Sequence, residues 1–257
     1  MAGKEAPRVV VVGLASCFGC QINLTNIESQ LLGLLGQMDL RYWQLTSSDP
    51  MPDEFDIAIV EGAVTTEEAA DTVRALRERA RVVIALGACA MTAGLPGLAS
   101  DGVERYAAEV YGSAVPGACD KLRDPAPVSA LVKVDYEVPC CPADPRAVVS
   151  VLQKALYGSN GLVATSTLCG ECKRNERGCF YEDGTLCLGL VTRGGCGARC
   201  PELGRPCNGC AGISADANVE AARVACDDAG IGAARLDEAL ELFNKQGMAA
   251  TSAGEAA

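Results

Sequence analysis

The sequence predicts an α/β chain: a doubly wound parallel sheet joined to a small, irregular C-terminal region rich in cysteine. Two observations carry this. Short β-branched apolar runs alternate with helix-like stretches through residues 8–157, the pattern of a parallel sheet covered on both faces by helices. The alternation then stops, and eight of the fifteen cysteines fall within residues 169–210. The expected division is therefore residues 1–158 and residues 159–257.

Taken in order, RVVVVGLA (residues 8–15) reads as a buried parallel strand, followed at once by Cys17-Phe18-Gly19-Cys20. Residues 21–35 place Ile27, Leu31, Leu34 and Leu35 on one helical face, and LRYWQL (40–45) forms the next strand. DIAIV (56–60) is a third strand, ending at Glu61-Gly62. Thr65 or Thr66, with Glu67 and Glu68 behind it, starts a helix that runs to Arg79. VVIAL (82–86) is a fourth strand, ending at Gly87-Ala88-Cys89. Residues 95–127 read as irregular, with a short helix over 102–111. Residues 131–138 form a fifth strand, ending at Pro139-Cys140-Cys141-Pro142, and Asp144-Pro145 opens a helix to Tyr157. After a linker at 158–161 and the cysteine segment, Val219, Ala222, Cys226 and Ala229 share a helical stripe, which makes Cys226 a packing residue. A short helix over 236–243 and a frayed end over 248–257 complete the chain.

Ligands of such sheets sit beyond the carboxyl ends of the strands. Cys17, Cys20, Cys89 and one of the adjacent pair Cys140 and Cys141 all follow predicted strands. Sequence spacing alone does not choose within that pair. Burial in the core is the competing reading for these thiols, but core cysteines have no reason to recur at strand ends.

The C-terminal cysteines divide into Cys169, Cys172, Cys179, Cys187 and Cys196, Cys200, Cys207, Cys210. The residues between them are mostly small, charged or turn-forming, so metal–thiolate bonds are the expected source of order. Disulfides and structural zinc are the alternatives. No apolar signal segment opens the chain, so a reducing cytoplasm is expected and disulfides are disfavoured. Zinc ribbons use paired short Cys knuckles, whereas these spacings are mixed, which favours iron–sulfur clusters.

The chain has no histidine and carries a formal net charge of −11. A histidine base, a histidine-bound zinc and a histidine-bound haem are thereby excluded within it. The acidic balance argues against nucleic acid as a partner, and the apolar runs are too short to span a membrane.

SCFGCQINL after the first strand, GACA after a later one and PCCPADP before a helix resemble the proximal-cluster motifs of [NiFe]-hydrogenase small subunits. The usual form of the last motif is Gly-Cys-Pro-Pro, which puts Cys140 at the glycine and Cys141 at the ligand; Ala143 replaces the second proline. CLGLVTRGGCGARCPELGRPCNGC is similar to the cytoplasmic, multi-subunit branch of that family. The cluster-bearing quinone-reductase subunit of complex I shares the first domain but lacks the C-terminal cysteines.

The resemblance implies a flavodoxin-like domain and three [4Fe-4S] clusters: proximal on Cys17, Cys20, Cys89 and Cys141; medial on Cys196, Cys200, Cys207 and Cys210; distal on Cys169, Cys172, Cys179 and Cys187. Cys169 takes the place of a histidine, and Cys200 supplies a fourth medial ligand. The implied role is an electron relay between the NiFe centre of a partner large subunit and a flavin- or iron–sulfur-containing acceptor subunit. No catalytic residue is expected in this chain. Glu61 is a possible interface acid by family analogy, with a solvated or capping acid as the alternative. Lys173, Arg174 and Arg177 read first as a solvated basic loop and second as a docking or tuning patch. Cys119 and Cys226 are structural thiols. A bound flavin is not expected, because cysteines stand where a phosphate loop would. The other functions in view are a relay subunit of a complex-I-like oxidoreductase and a zinc-stabilised interaction protein. The sequence leaves the terminal electron acceptor open.

Overall fold

The computed structural model describes residues 6–26, 32, 33, 35–113, 122–159, 164–176 and 178–254, with side chains to residue 246. The chain splits into two compact units, Met1–Gly161 and Leu162–Ala257.

In the first unit, β1 (Arg8–Gly13), β2 (Asp39–Trp43), β3 (Ile57–Glu61), β5 (Val82–Leu86) and β7 (Tyr136–Val138) form a five-stranded sheet in the order β2-β1-β3-β5-β7. Every pairing is parallel. Counted within the sheet this is the flavodoxin-like order 2-1-3-4-5, whose switch point lies between β1 and β3. Alternate strand residues feed two cores. Val9, Val11, Ile57, Ile59, Ile84 and Leu86 pack with α1 (Gly19–Thr25) and α5 (Pro145–Tyr157) through Leu24, Val148 and Leu152. Val10, Val12, Ala58, Val60, Val83 and Ala85 pack with α2 (Glu67–Arg79) through Ala70, Val73 and Leu76. Fully burying such a side chain stabilises the fold by about 1.5–3 kcal/mol.

The helix starts are local chemistry. Thr66 Oγ1 accepts from the Ala69 N–H at 3.1 Å to cap α2, and Asp144 Oδ1 accepts from the Arg146 N–H at 2.8 Å to cap α5. Of the helix expected over 21–35, the structure describes α1, which starts two residues earlier; Ile27, Leu31 and Leu34 lie outside the described residues. Residues 95–127 hold the expected short helix as α4 (Val103–Tyr111) and also β6 (Leu122–Ala126), which was not expected; β6 pairs antiparallel with β4 (Val64–Thr66). Neither short strand has an alternating apolar pattern that could have announced it.

The strand expected over 131–138 shortens to Tyr136–Val138. Leu131, Val132 and Val134 turn instead onto the α2-side core. Asp135 then ends the approach. Its carboxylate accepts from the Val83 N–H at 2.9 Å, taking a donor that a longer strand's carbonyl would use, and it pairs with Arg77 Nη1 at 2.5 Å. Burial alone would raise the Asp135 pKa, but the Val83 N–H and Arg77 outweigh it and hold the carboxyl below its usual range. A depressed folded value means stabilisation that is complete above the unfolded Asp pKa of about 3.9 and is lost as pH falls through the folded value. Asp135→Asn is therefore expected to cost about 1–2 kcal/mol at neutral pH, a deficit that disappears in strong acid. Denaturant titrations of the two proteins across pH measure it.

The second unit is built from short turns and helices around Leu168, Leu188, Val191, Leu236 and Leu240. Cys226 is fully buried on α8 (Val219–Asp228), as its helical stripe predicts. The expected 236–243 helix is one part of the longer α9 (Ala233–Gly254), and residues 248–254, expected to fray, continue it. Alanine and methionine there favour helix strongly enough to carry it on. Among the described residues no helix is long and apolar enough to cross a membrane.

Candidate metal centres

The first centre lies at the carboxyl edge of the parallel sheet. β1 leads into the Cys17–Cys20 turn, where Phe18 takes a left-handed backbone (φ 58°) that lets α1 begin directly after it. Cys20 is buried and its sulfur accepts from the Ala143 N–H at 3.4 Å. β5 is followed at once by Gly87 (φ 81°), where a Cβ would stand 2.5 Å from the Cys20 sulfur, so only glycine admits this approach. That turn starts α3 (Gly87–Thr92), which carries Cys89. Cys141, after β7, is exposed. Burial first, offset in part by the Ala143 N–H, and then Glu61 and Cys141 push the Cys20 thiol up to about 12. Burial, then Cys141 and Cys17, push Cys89 up to about 11. Cys141 thus acts on both Cys20 and Cys89, and Cys17 on Cys89, which links the four thiols at one edge from three distant segments. Thiols raised this far stay protonated at neutral pH unless a metal displaces the proton.

Cys140 is buried with φ 86°, a glycine-type conformation, and its carbonyl accepts from the Ala88 N–H at 3.0 Å. Its backbone role is to anchor the start of α3.

Glu61 ends β3 and is 1% exposed. Its Oε1 accepts from the Cys20 N–H at 3.0 Å and its Oε2 from Gln21 Nε2 at 2.8 Å. Gln21 Oε1 in turn accepts from Trp43 Nε1 at 2.7 Å. Within this chain Glu61 is a buried cap on α1, the capping form of the alternative reading and not the solvated one. Sequence reasoning missed Gln21 and Trp43, whose only signal was polarity at core positions.

In the second unit, Cys169, Cys172, Cys179 and Cys187 line one partly open cavity of about 120 Å³, together with Leu168, Phe180, Tyr181 and Leu190. Burial, then Cys187, Cys172 and Cys179, push Cys169 up to about 11, while Lys173 acts in the opposite sense. Gly189 faces this group: a Cβ there would lie 3.6 Å from both the Cys169 and the Cys187 sulfurs. Four sulfur donors around an apolar cavity match the donor set of an iron–sulfur cluster. Lys173 and Arg174 are exposed, and Arg177 lies outside the described residues, as does Cys119.

Cys196, Cys200, Cys207 and Cys210 form the third group. Burial, then Cys210 and Cys196, raise the Cys200 thiol. Burial raises Cys207 to about 12 against the Gly209 N–H and Thr192, with Cys187 and Cys210 adding to it. The Gly209 N–H donates to the Cys207 sulfur at 3.4 Å and the Cys207 N–H to the Cys187 sulfur at 3.2 Å, so Cys187 adjoins both C-terminal groups. Among the described residues, no three or more Cys, Asp or Glu side chains converge on the point of a single metal ion.

A flavodoxin-like sheet with thiols at its carboxyl edge is thus followed by a second unit rich in thiols, the setting of an iron–sulfur subunit. The family described as NADH ubiquinone oxidoreductase, 20 Kd subunit, matches residues 17–155. Sulfhydrogenase 2 subunit delta of Pyrococcus furiosus is 37% identical over 81% of this chain and 87% of its own length. A vhu subunit of the F420-non-reducing hydrogenase of Methanocaldococcus jannaschii is 30% identical over 93% of this chain and 94% of its own. The solved structure of an NAD+-reducing [NiFe]-hydrogenase in the H2-reduced state contains a chain with 29% identity and a TM-score of 0.56, covering 62% of this chain and 95% of that one. The chain belongs to this 20 Kd-subunit family and is a small, iron–sulfur subunit of the [NiFe]-hydrogenase type, related to complex I. Its relatives are hydrogenase subunits, oxidoreductases acting on hydrogen.

Proposed function

We propose that this chain relays electrons between the NiFe site of a partner large subunit, where H2 is split to protons and electrons, and a flavin- or iron–sulfur-containing acceptor subunit. In this reading it holds three [4Fe-4S] clusters: proximal on Cys17, Cys20, Cys89 and Cys141 in a domain of residues 1–158, and medial (Cys196, Cys200, Cys207, Cys210) and distal (Cys169, Cys172, Cys179, Cys187) in residues 159–257. When bound, such clusters supply one-electron carriers whose potentials follow burial and nearby hydrogen bonds. The observation that carries the reading is the placement of the thiols: Cys17, Cys20, Cys89 and Cys141 follow strand ends at the carboxyl edge of the sheet, and Cys169, Cys172, Cys179 and Cys187 line one apolar cavity.

The chain's own residues give each set a distinct setting. Gly87 admits the Cys20 sulfur to the sheet edge, Glu61 fixes the backbone of that cysteine, and the Gly209 and Cys207 amides point at sulfur. Thiols kept for iron must stay reduced, which fits a cytoplasmic location.

Metal analysis of the anaerobically purified native complex tests the reading. About twelve irons per copy of this chain are expected from three four-iron clusters, beside one catalytic iron and a matching nickel. Iron without nickel in a matured complex would retain the relay and remove hydrogen as its substrate. Zinc in place of iron would overturn the redox reading.

A further inference from the structure

Glu171 stands between two thiols of one quartet, in Cys169-Gly170-Glu171-Cys172, yet its carboxylate serves the other. Oε1 accepts from the Gly195 N–H at 2.6 Å and Oε2 from the Gly197 N–H at 2.8 Å. These two amides flank Cys196, so each carboxylate oxygen grips one side of the turn that presents that thiol.

The turn depends on such a grip. Gly194-Gly195-Cys196-Gly197 is nearly all glycine, and Gly195 (φ 114°) and Gly197 (φ 69°) both sit in conformations that side chains disfavour. Glycine reaches these conformations readily but holds none of them by itself. Close packing completes the arrangement. A Cβ at Gly194 would lie 3.2 Å from Glu171 Oε1 and 3.3 Å from the Ser166 carbonyl oxygen, which already accepts from the Gly194 N–H at 2.9 Å. Hydrogen bonds from backbone N–H to an ionised carboxylate are about twice as strong as neutral ones.

We propose that Glu171 is a positioning residue shared by the two C-terminal clusters: it fixes the Cys196 turn against the Cys169–Cys172 turn, and its charge lowers the reduction potential of both clusters together. The proposal deepens the relay reading and rests on it. The carboxylate lies one residue from Cys172 and is hydrogen-bonded to the amides on either side of Cys196. Reduction adds negative charge to a cluster, and a fixed negative charge nearby opposes it. A carboxylate carried by the Cys169–Cys172 turn and bonded to the Cys196 turn acts on both potentials in the same direction and leaves the step between them little changed.

The test is an EPR-monitored redox titration of the anaerobically purified holo-complex carrying Glu171→Gln or Glu171→Ala. Glutamine keeps the shape and one acceptor but removes the charge. It is expected to leave the iron content unchanged and to raise both midpoint potentials, by about tenfold in the reduced-to-oxidised ratio at fixed potential, ~59 mV for a one-electron couple. Alanine is expected to raise the distal midpoint and, with the Gly195 and Gly197 amides released, to lose about four irons from the medial set. Unmoved midpoints in Glu171→Gln, or a shift in only one of them, would overturn the proposal. Full iron retention in a folded Glu171→Ala would overturn its positioning half. Failure of the relay reading is distinguishable: the unmutated complex would then lack two cluster signals assignable to this unit, whereas intact signals with unmoved potentials defeat Glu171 alone.

Discussion

Cys141→Ser is expected to lose about four irons per chain and to abolish hydrogen turnover, while Cys140→Gly is expected to retain both. The two thiols are adjacent but differently placed. Cys141 is exposed and acts on the Cys20 and Cys89 thiols. Cys140 is buried with φ 86°, and its carbonyl accepts the Ala88 N–H at the start of α3. Glycine at 140 relieves about 1–2 kcal/mol of left-handed strain. Against that stand the lost packing of a small buried side chain and the greater freedom of glycine in the unfolded chain. The two sides nearly cancel, so the stability of Cys140→Gly is expected within about 1 kcal/mol of the parent. Iron analysis and hydrogen-dependent dye reduction on both variants measure these outcomes. Iron loss from Cys140→Gly with retention in Cys141→Ser would reverse the assignment.

Glu61→Gln is expected to destabilise the chain by about 1–3 kcal/mol, because no orientation of the new amide satisfies its neighbours. Trp43 Nε1–H only donates, so Gln21 must present its oxygen there and its NH2 to residue 61. A glutamine at 61 that accepts from the Cys20 N–H then turns its own NH2 toward that of Gln21. Flipping Gln21 moves the donor–donor conflict to Trp43. The double variant Glu61→Gln with Gln21→Glu restores an acceptor between the two donors and is expected to recover most of the loss. Trp43 is the only tryptophan, so its fluorescence reports on this network directly during unfolding. A single variant as stable as the parent, with unchanged assembly and turnover, would show that the buried carboxylate has no structural or functional weight.

Much of the first unit was legible in the sequence because local signals agreed with the global fold. Ile57–Val60 and Val82–Leu86 are apolar runs buried on both faces, and Asp144-Pro145 is a helix start in composition and in geometry. β4 and β6 were not legible, since their pairing joins Val64 to Ala126 across a long stretch of chain. The sequence predicts too short a C-terminal helix because the small and polar residues 248–257 resemble a frayed tail, yet α9 continues to Gly254.

The sequence by itself determined which thiols stand together in the chain, that no histidine takes part, and that strand ends deliver Cys17, Cys20 and Cys89 to one edge. Those are properties of composition and of short periodic runs. Only the tertiary structure decided that Glu61 is buried with both oxygens engaged, that Gln21 links it to Trp43, and that Glu171 reaches from one cysteine quartet to the turn of the other. The physical reason is the same in each case. A polar side chain in the interior is defined by the donors around it, and those donors come from segments that meet only when the chain folds.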